Sequence, residues 1–206
     1  GTDNVEIALV EAFIAHEFNL KKGTRDQNCP PMTIIRLGTS GGIQPDVTPG
    51  SLAISSYALG LDTTGIYYDQ SNEDETIKRI EKDSAEILNK AIDSSSRFKG
   101  RIFPYASKAS TEVTNALIHQ AEISGLEFDT GITVSSPGFY GPSSRIIEGL
   151  KNTLPDIKGN LSKLNINGLK AHNMEMESSL LFHLCAQMGY RAGTICTVIS
   201  GPTESD

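Results

Sequence analysis

A short apolar segment near the start of the chain carries residue types suited to binding an anion. From Thr33 to Pro45 it reads Thr-Ile-Ile-Arg-Leu-Gly-Thr-Ser-Gly-Gly-Ile-Gln-Pro. The β-branched run predicts a buried strand, in which the charge of Arg36 is costly unless an anion meets it. The turn expected at Gly38–Gly42 adds the hydroxyls of Thr39 and Ser40 and backbone N–H groups that can surround a phosphate. The pattern fits equally a tight turn whose arginine pairs with an acidic side chain.

A second segment alternates glutamate with methionine. Residues 172–179 read His-Asn-Met-Glu-Met-Glu-Ser-Ser and precede an apolar stretch that predicts a helix. The alternation predicts an extended entry into that helix, with successive side chains on opposite sides. A carboxylate placed here can hold sugar hydroxyls, since each of its oxygens accepts hydrogen bonds. The alternative is helix capping, in which the macrodipole favours Glu177 in the first turn; the pattern alone favours capping.

A third segment joins two aromatic residues to an arginine. Residues 135–145 read Ser-Ser-Pro-Gly-Phe-Tyr-Gly-Pro-Ser-Ser-Arg, a composition typical of a loop. The ring of Phe139 can stack on a nucleobase, and Arg145 can donate to a base carbonyl. The alternative is a surface loop whose aromatic residues pack into the core. By itself the segment favours that alternative.

Strands and helices alternate along the chain and must position these three segments. The sequence predicts helices at 4–17, 73–92 and 111–124 and within 171–189, and strands at 33–37, 51–57, 101–107, 131–135 and 194–199. Asp3 or Asn4 is expected to cap the first helix. Loops are expected at 21–31, 60–72 and 142–168, the last with a helical turn at 146–150. This order predicts one domain over residues 1–206, an α/β fold: a three-layer α/β/α sandwich with a mixed, largely parallel central sheet. Ligands of such sheets lie at the carboxyl ends of strands, where the glycine turn, the loop at 135–141 and the end of the strand at 194–199 are expected.

Composition excludes several classes of protein. The formal net charge is -7 over 206 residues, and no cluster of lysine and arginine suggests a nucleic-acid surface. Cys29, Cys185 and Cys196 are scattered, which predicts reduced thiols rather than disulfides or a zinc site. We find no metal-binding motif, no apolar run of membrane-spanning length and no signal peptide. A cytoplasmic location is expected.

Taken in this order and at these intervals, the three segments resemble the nucleoside phosphorylase superfamily, on its uridine phosphorylase branch. The matching stretches are residues 35–45, residues 135–140 together with Arg145, and residues 173–178. The resemblance implies phosphorolysis of a nucleoside to a free base and ribose 1-phosphate, as in nucleoside salvage. Phosphate would be the co-substrate, and no metal or organic cofactor would be needed.

The resemblance also implies roles for individual residues. Catalysis would fall to Arg36, which places phosphate, Glu177, which fixes the ribose, and Arg145, which stabilises negative charge on the leaving base. The phosphate-binding residues would be Arg36, Gly38 and Thr39. The ribose would contact Thr39, Phe139, Met176 and Glu177. The base would be lined by Ser40, Gly41, Phe139, Ser143, Arg145, Glu175, Met176 and Ile199.

The chain departs from the family at several positions. Ser143 stands where uridine phosphorylases typically carry a glutamine that reads the base, and Gly201-Pro202 stands where they carry Asn-Arg. We find no counterpart of the family's N-terminal Gly-Asp-Pro-x-Arg phosphate loop or of its last helix, which suggests a fragment. Uridine remains the first substrate choice because Arg145 is retained.

Three alternatives stay open at this point. A hydrolytic nucleosidase would use water, although the retained Arg36 speaks against it. A purine-type phosphorylase is the second alternative, although the acidic residue that such enzymes carry after the last strand is absent at Gly201-Pro202. A non-catalytic nucleoside-binding protein would fit the changed base-reading positions. The family further implies a homodimer, or a ring of three dimers, and the length of the loop at 21–31 favours the dimer. Some members hold a structural cation at the dimer interface, for which the sequence identifies no ligands.

Overall fold

The computed structural model describes residues 1–70, 74–145 and 147–202. Its helices are α1 (Thr2–Glu17), α2 (Glu75–Ala91), α3 (Thr111–Ile123), α4 (Ile157–Leu161) and α5 (Ser178–Met188), with a 3-10 helix at Thr64–Tyr67. Its strands are β1 (Phe18–Asn19), β2 (Thr24–Arg25), β3 (Thr33–Gly42), β4 (Leu52–Gly60), β5 (Tyr105–Lys108), β6 (Phe128–Ser135), β7 (Asn165–Ile166), β8 (Leu169–Glu175) and β9 (Arg191–Ser200).

The main sheet is mixed, and five of its strands close into a ring. The strand order is β3-β9-β4-β6-β8-β7, with β5 on the side of β4. The two longest ladders, β3 with β9 and β4 with β6, are parallel, and β6 with β8 is parallel as well. β3 also pairs antiparallel with β8 through Gly41 and Gly42. This last pairing joins the two ends of the path β3-β9-β4-β6-β8, so the carboxyl ends of β6 and β8 lie beside the second half of β3.

Helices cover both faces of the sheet. In β4, Ala58 belongs to an apolar cluster with Leu9 of α1 and Phe182 of α5. The next residue, Leu59, belongs to a second cluster with residues of α2 and α4. Since successive strand residues point to opposite faces, the two clusters lie on opposite sides of β4. The predicted α/β fold with a mixed central sheet and flanking helices is confirmed.

The first predicted strand is longer than its sequence suggested. β3 runs on through Gly38–Gly42, so the turn predicted there, and the anion-binding nest that it would have formed, are wrong. None of these glycines has a positive φ. The register to β9 shifts between Ser40 and Gly41, which marks a bulge. Any phosphate at this strand must therefore be bound chiefly by side chains rather than by a nest of backbone N–H groups.

Several other boundaries differ from the sequence-based expectations. α1 begins at Thr2, so the cap expected from Asp3 or Asn4 is wrong. The loop expected at 21–31 contains β2, and the loop expected at 142–168 contains α4 and β7. Asp74 caps α2, its carboxylate accepting from the backbone N–H groups of Thr76 and Ile77 at 2.8 and 3.3 Å. The predicted starts of that helix at Glu73 and of the turn at Ile146 lie outside the described residues.

No helix in residues 1–70, 74–145 and 147–202 is long and apolar enough to cross a membrane.

Candidate functional site

A cavity of about 730 Å³ opens where the ends of β6, β8 and β9 meet the second half of β3. Its wall consists of Arg36, Thr39, Ser40, Gly41, Ser136, Gly138, Phe139, Ser143, Ser144, Arg145, Lys158, Met174, Glu175, Met176, Glu177, Ile199 and Ser200. The three segments singled out in the sequence therefore meet at one place. The first and third segments and Ile199 of the last strand lie there as expected from the strand ends. All the predicted site residues except Gly38 line this cavity; their individual roles stay predictions.

Gly38 does not line the cavity but lies directly beneath the side chain of Arg36. The side chain of Arg36 folds along β3 over Gly38, two residues further on the same face of the strand. A Cβ atom added to Gly38 would lie 2.3 Å from Arg36 Nη1 and 2.8 Å from its Cζ. Glycine at this position thus leaves the space in which the guanidinium lies.

Arg36 is surrounded by acceptors. Its Nη2 donates to Glu177 Oε2 and lies 3.3 Å from Glu175 Oε2, while its Nη1 lies 2.9 Å from the sulfur of Cys196. Arg36 therefore has the acidic partners that the alternative expected, and these carboxylates lie in the cavity wall. Binding of a phosphate at this arginine stays a prediction. A guanidinium has five N–H donors in a fixed fork, so donors remain for a further anion.

The two glutamates of the second segment make different contacts and have different structural roles. Glu175, whose side chain is 1% exposed, accepts hydrogen bonds from the backbone N–H groups of Glu177 and Ser178 at 3.0 and 3.1 Å. Ser135 donates to the same carboxylate at 2.5 Å. Glu175 therefore caps α5, and the side chain of Glu177 makes no capping hydrogen bond. Glu177 thus occupies the N-cap position of α5, as the alternative expected, but its carboxylate faces the cavity instead of bonding the backbone.

The charges of this cluster are fixed at neutral pH. Burial raises the pKa of Glu177, whereas the charge of Arg36 and its hydrogen bond to the carboxylate lower it. Burial lowers the pKa of Arg36, but the charges around it, Glu175 foremost, raise the pKa above its ordinary value. Burial raises the pKa of Cys196 to about 11, so this residue is a neutral thiol. An ionised carboxylate and a guanidinium thus share the cavity wall.

A buried chain of hydrogen bonds holds the wall at Ser40. Asn173 Nδ2 donates to the hydroxyl of Ser40 at 2.9 Å, and Asn173 Oδ1 accepts from Thr133 at 2.8 Å. Thr133 in turn accepts from Ser55. The four residues lie on β3, β8, β6 and β4, so the network ties together the strands that form the wall. Because Ser40 accepts from the amide, its own hydroxyl proton is left to donate.

In the aromatic loop, the guanidinium of Arg145 lies over the rings of Phe139 and Tyr140. The guanidinium carbon of Arg145 lies 4.4 Å from the ring centroid of Phe139 and 5.8 Å from that of Tyr140. Both rings are more than half exposed, so the alternative in which they pack into the core is wrong. Ser144 adopts a left-handed conformation with φ 61°, and its hydroxyl accepts from the N–H of Ile157 at 3.0 Å. The loop is thereby attached to α4.

Six wall residues were not predicted as site residues: Ser136, Gly138, Ser144, Lys158, Met174 and Ser200. Most of them lie inside or beside the recognised segments, whereas Lys158 comes from the region expected to be a loop. Ser136 is 2% exposed, and its hydroxyl has no hydrogen-bond partner among the described residues. A buried hydroxyl left without a partner costs free energy unless something else satisfies it. Its place in the cavity wall makes it a candidate ligand contact.

The described part of the chain contains no group of three or more His, Cys, Asp or Glu side chains arranged to hold a metal ion. Cys29, Cys185 and Cys196 are all free thiols.

Comparison with known proteins places the chain in a family. Residues 1–206 match the model of the phosphorylase superfamily. The chain belongs to the phosphorylase superfamily. Among solved structures, this phosphorylase-superfamily chain is similar to a Trypanosoma brucei nucleoside phosphorylase described as showing uridine phosphorylase activity. The TM-score is 0.82 at 26% identity, and the likeness covers 99% of this chain and 69% of the other.

Relatives within the superfamily include several uridine phosphorylases. The chain is 31% identical over 174 residues to that of Thermococcus kodakarensis, a match that covers 84% of this chain and 50% of the relative. It is 26% identical over 174 residues to that of Escherichia coli, covering 84% of this chain and 55% of the relative. A DeoD-type purine nucleoside phosphorylase of Dichelobacter nodosus is 26% identical over 201 residues. The chain spans about half the length of the curated uridine phosphorylases it matches.

Proposed function

We propose that this protein cleaves the N-glycosidic bond of a pyrimidine nucleoside with phosphate, converting uridine and phosphate to uracil and ribose 1-phosphate. The observation that carries the proposal is the convergence, in one cavity, of an Arg36–Glu177 ion pair and an Arg145–Phe139 stack. The first pair suits phosphate and ribose, and the second suits a base. The names of the similar uridine phosphorylases support the choice of reaction.

Arg36 and Glu177 divide the sugar–phosphate end of the reaction. The guanidinium of Arg36 attracts the phosphate and orients it with Gly38 beneath it and Thr39 beside it. The ionised carboxylate of Glu177 accepts hydrogen bonds from the ribose hydroxyls, and Met176 packs against the sugar. Placing the nucleophile and the ribose in one orientation removes much of the entropic barrier to reaction.

Developing charge decides the rate. As the glycosidic bond breaks, the ribosyl group becomes positive and the base becomes negative. The Glu177 carboxylate is fixed next to the sugar and stabilises the positive charge more as it grows. Arg145 stabilises the negative charge on the leaving base, while Phe139 stacks beside the sugar and base. Preorganised charges of this kind cost no reorganisation at the moment of reaction.

The remaining wall residues form the base site. They are Ser40, Gly41, Ser143, Glu175 and Ile199, all in the cavity wall. The hydroxyl proton that the Asn173 network leaves on Ser40 is suited to a base carbonyl. Glu175 contributes indirectly, because its carboxylate fixes the start of α5 and with it the position of Glu177.

A phosphate dianion at Arg36 requires further positive charge. The single guanidinium already faces Glu175 and Glu177, so the local charge is negative before phosphate enters. An adjacent subunit is the natural source of such a cation, and we propose a homodimer. Ile35, Leu37 and Ile199 are 46%, 78% and 63% exposed on one face of β3 and β9 next to the cavity, which gives the dimer an apolar surface to bury. A structural cation at that interface, a hexameric ring of dimers and a cytoplasmic role in pyrimidine salvage stay predictions.

The proposal is tested by following base release from uridine, thymidine and inosine, each with and without phosphate. Phosphate-dependent release of uracil supports it. Release from inosine alone would keep the mechanism and overturn the pyrimidine specificity, and release that ignores phosphate would overturn phosphorolysis. Light scattering tests the assembly, for which a monodisperse monomer would contradict the proposed dimer.

A further inference from the structure

The helix α4 brings a lysine into the cavity wall between two apolar anchors. Ile157 and Leu161 are 5% and 0% exposed and belong to the same apolar cluster as α2. Lys158 lies between them, half-buried, with its side chain in the cavity wall. The hydrogen bond from the N–H of Ile157 to Ser144 fastens this helix to the aromatic loop. The position of Lys158 is therefore set by the core on one side and by the cavity loop on the other.

The ammonium group lies at the end of the cavity away from Arg36. A Cβ atom added to Gly41 would be 3.0 Å from Lys158 Nζ and 2.9 Å from Ser200 Oγ, just as one added to Gly38 would meet Arg36. Gly38 and Gly41 are separated along β3 by about 10 Å at a rise of ~3.3 Å per residue. The two cations thus stand over different parts of one strand, with the Glu177 carboxylate near the first and the Gly41 wall near the second.

The wall of the same cavity also contains a departure of the sequence from the uridine phosphorylase pattern. Ser143 replaces the glutamine that typically reads the base, and a serine hydroxyl is too short to replace both ends of an amide. Lysine carries three donors on a flexible four-carbon stem, which lets it reach a carbonyl from a neighbouring wall. We propose that Lys158 is a specificity-determining residue that donates to a carbonyl oxygen of the pyrimidine and stabilises its negative charge as it leaves. This inference rests on the proposed function, because it deepens the role of the same cavity.

The chemistry balances without a further reactant. A phosphate oxygen forms the new bond to C1′ of the ribose while the bond from C1′ to N1 of the base breaks. The electron pair of the broken bond stays on the base and is shared with its carbonyl oxygens, which accept hydrogen bonds from Lys158. Lys158 keeps its proton, and the free base takes its proton from solvent after release. Lys158 is thus an electrostatic contact rather than an acid catalyst.

The test compares Lys158→Met with Lys163→Met in the full protein. Lys163 is an exposed lysine just beyond α4 whose ammonium contacts Asn160 at 3.2 Å, so it controls for the loss of one positive charge. We expect Lys158→Met to lower kcat/KM for uridine by about 10- to 100-fold, the range of a hydrogen bond to a charged group. Lys158→Arg is expected to recover much of the loss, and the KM for phosphate is expected to stay unchanged.

A change of leaving group separates this role from a structural one. The base of 5-fluorouridine is more acidic than uracil and needs less stabilisation as it leaves, so the loss in Lys158→Met should shrink with that substrate. An equal loss for both nucleosides, or no loss at all, would overturn the proposal. If the parent protein turns over no nucleoside, the proposed function fails, and calorimetric titration with uracil decides on Lys158. Weaker uracil binding by Lys158→Met than by Lys163→Met would then support the contact, and equal binding would overturn it.

Discussion

Replacement of Gly38 by alanine should damage the site without touching any ligand. The added Cβ would stand 2.3 Å from Arg36 Nη1, whereas ordinary contacts begin at about 3.4 Å, so the guanidinium has to move by roughly 1 Å or more. A misplacement of about 1 Å in a positioned group costs on the order of 10²-fold in rate. We therefore expect kcat/KM to fall about 10²-fold, equivalent to roughly 2.7 kcal/mol of transition-state stabilisation.

The loss should appear mainly in the use of phosphate. Arg36 is the residue assigned to phosphate, so the KM for phosphate should rise and that for the nucleoside should change less. The strand itself should tolerate alanine, because Gly38 has no positive φ. Moving Arg36 away from Glu175 and Glu177 should lower the free energy of unfolding by about 1–3 kcal/mol. Initial rates at varied phosphate and urea unfolding measure the two effects.

Gly141→Ala is the matched control for this substitution. Gly141 lies in the loop near the cavity and has no positive φ. Among the described residues, a Cβ added there would meet only Asn152 Oδ1, at 3.8 Å. This control should stay within about twofold of the parent in rate, as expected of an ordinary contact. Gly38→Ala with turnover near that of the control and an unchanged KM for phosphate would refute the assignment of Arg36.

Three further predictions follow from buried groups. Glu175→Gln should lower the free energy of unfolding by about 1–2 kcal/mol, because the cap of α5 is weakened. Glu177→Gln should cost less stability and should reduce kcat/KM. Urea unfolding and initial rates measure the two effects, and the reverse ranking of the variants would contradict the assigned roles. Ser136→Ala should weaken nucleoside binding several-fold with no loss of stability, because the hydroxyl has no partner among the described residues; equal binding in a titration would exclude the contact. Burial lowers the pKa of His172 from 6.5 to about 4, and its Nδ1 lies 3.0 Å from the carbonyl of Ile132. The unfolded chain takes up the proton first, so stability is complete above pH 6.5 and should fall by about 3 kcal/mol on acidification to pH 4; a His172→Gln variant that loses stability as steeply in urea unfolding would contradict this.

The sequence was sufficient for the class of fold and for the grouping of the three segments. Alternating strands and helices place loops and strand ends at one edge of a sheet, and this rule predicts that the segments of Arg36 and Phe139 lie together with the end of the last strand. The resemblance to the nucleoside phosphorylases added Glu177. The prediction failed at glycines, because a glycine can indicate either a turn or a strand position that leaves room for a neighbouring side chain. Gly38 and Gly41 suggested a turn, yet both are in a strand where the missing side chains leave room for Arg36 and Lys158.

Other features required the tertiary structure. Helix propensity and the macrodipole favour an acidic residue at the start of α5 but do not say which one. In the structure, Glu175 at the end of β8 accepts the hydrogen bonds that cap the helix. Lys158 belongs to a helix of five residues that Asp156 caps and that buries Ile157 and Leu161 in the core. Its approach to Gly41 spans more than a hundred positions of the chain, and no motif signals it.

The central claim is that the cavity transfers a ribosyl group to phosphate rather than to water. The most direct test is ³¹P nuclear magnetic resonance of the purified protein incubated with uridine and phosphate, with uracil followed in the same sample. The account predicts that ribose 1-phosphate appears in equal amount with uracil and that both stop forming when phosphate is omitted. Uracil that accumulates at the same rate without phosphate, accompanied by free ribose, would contradict it.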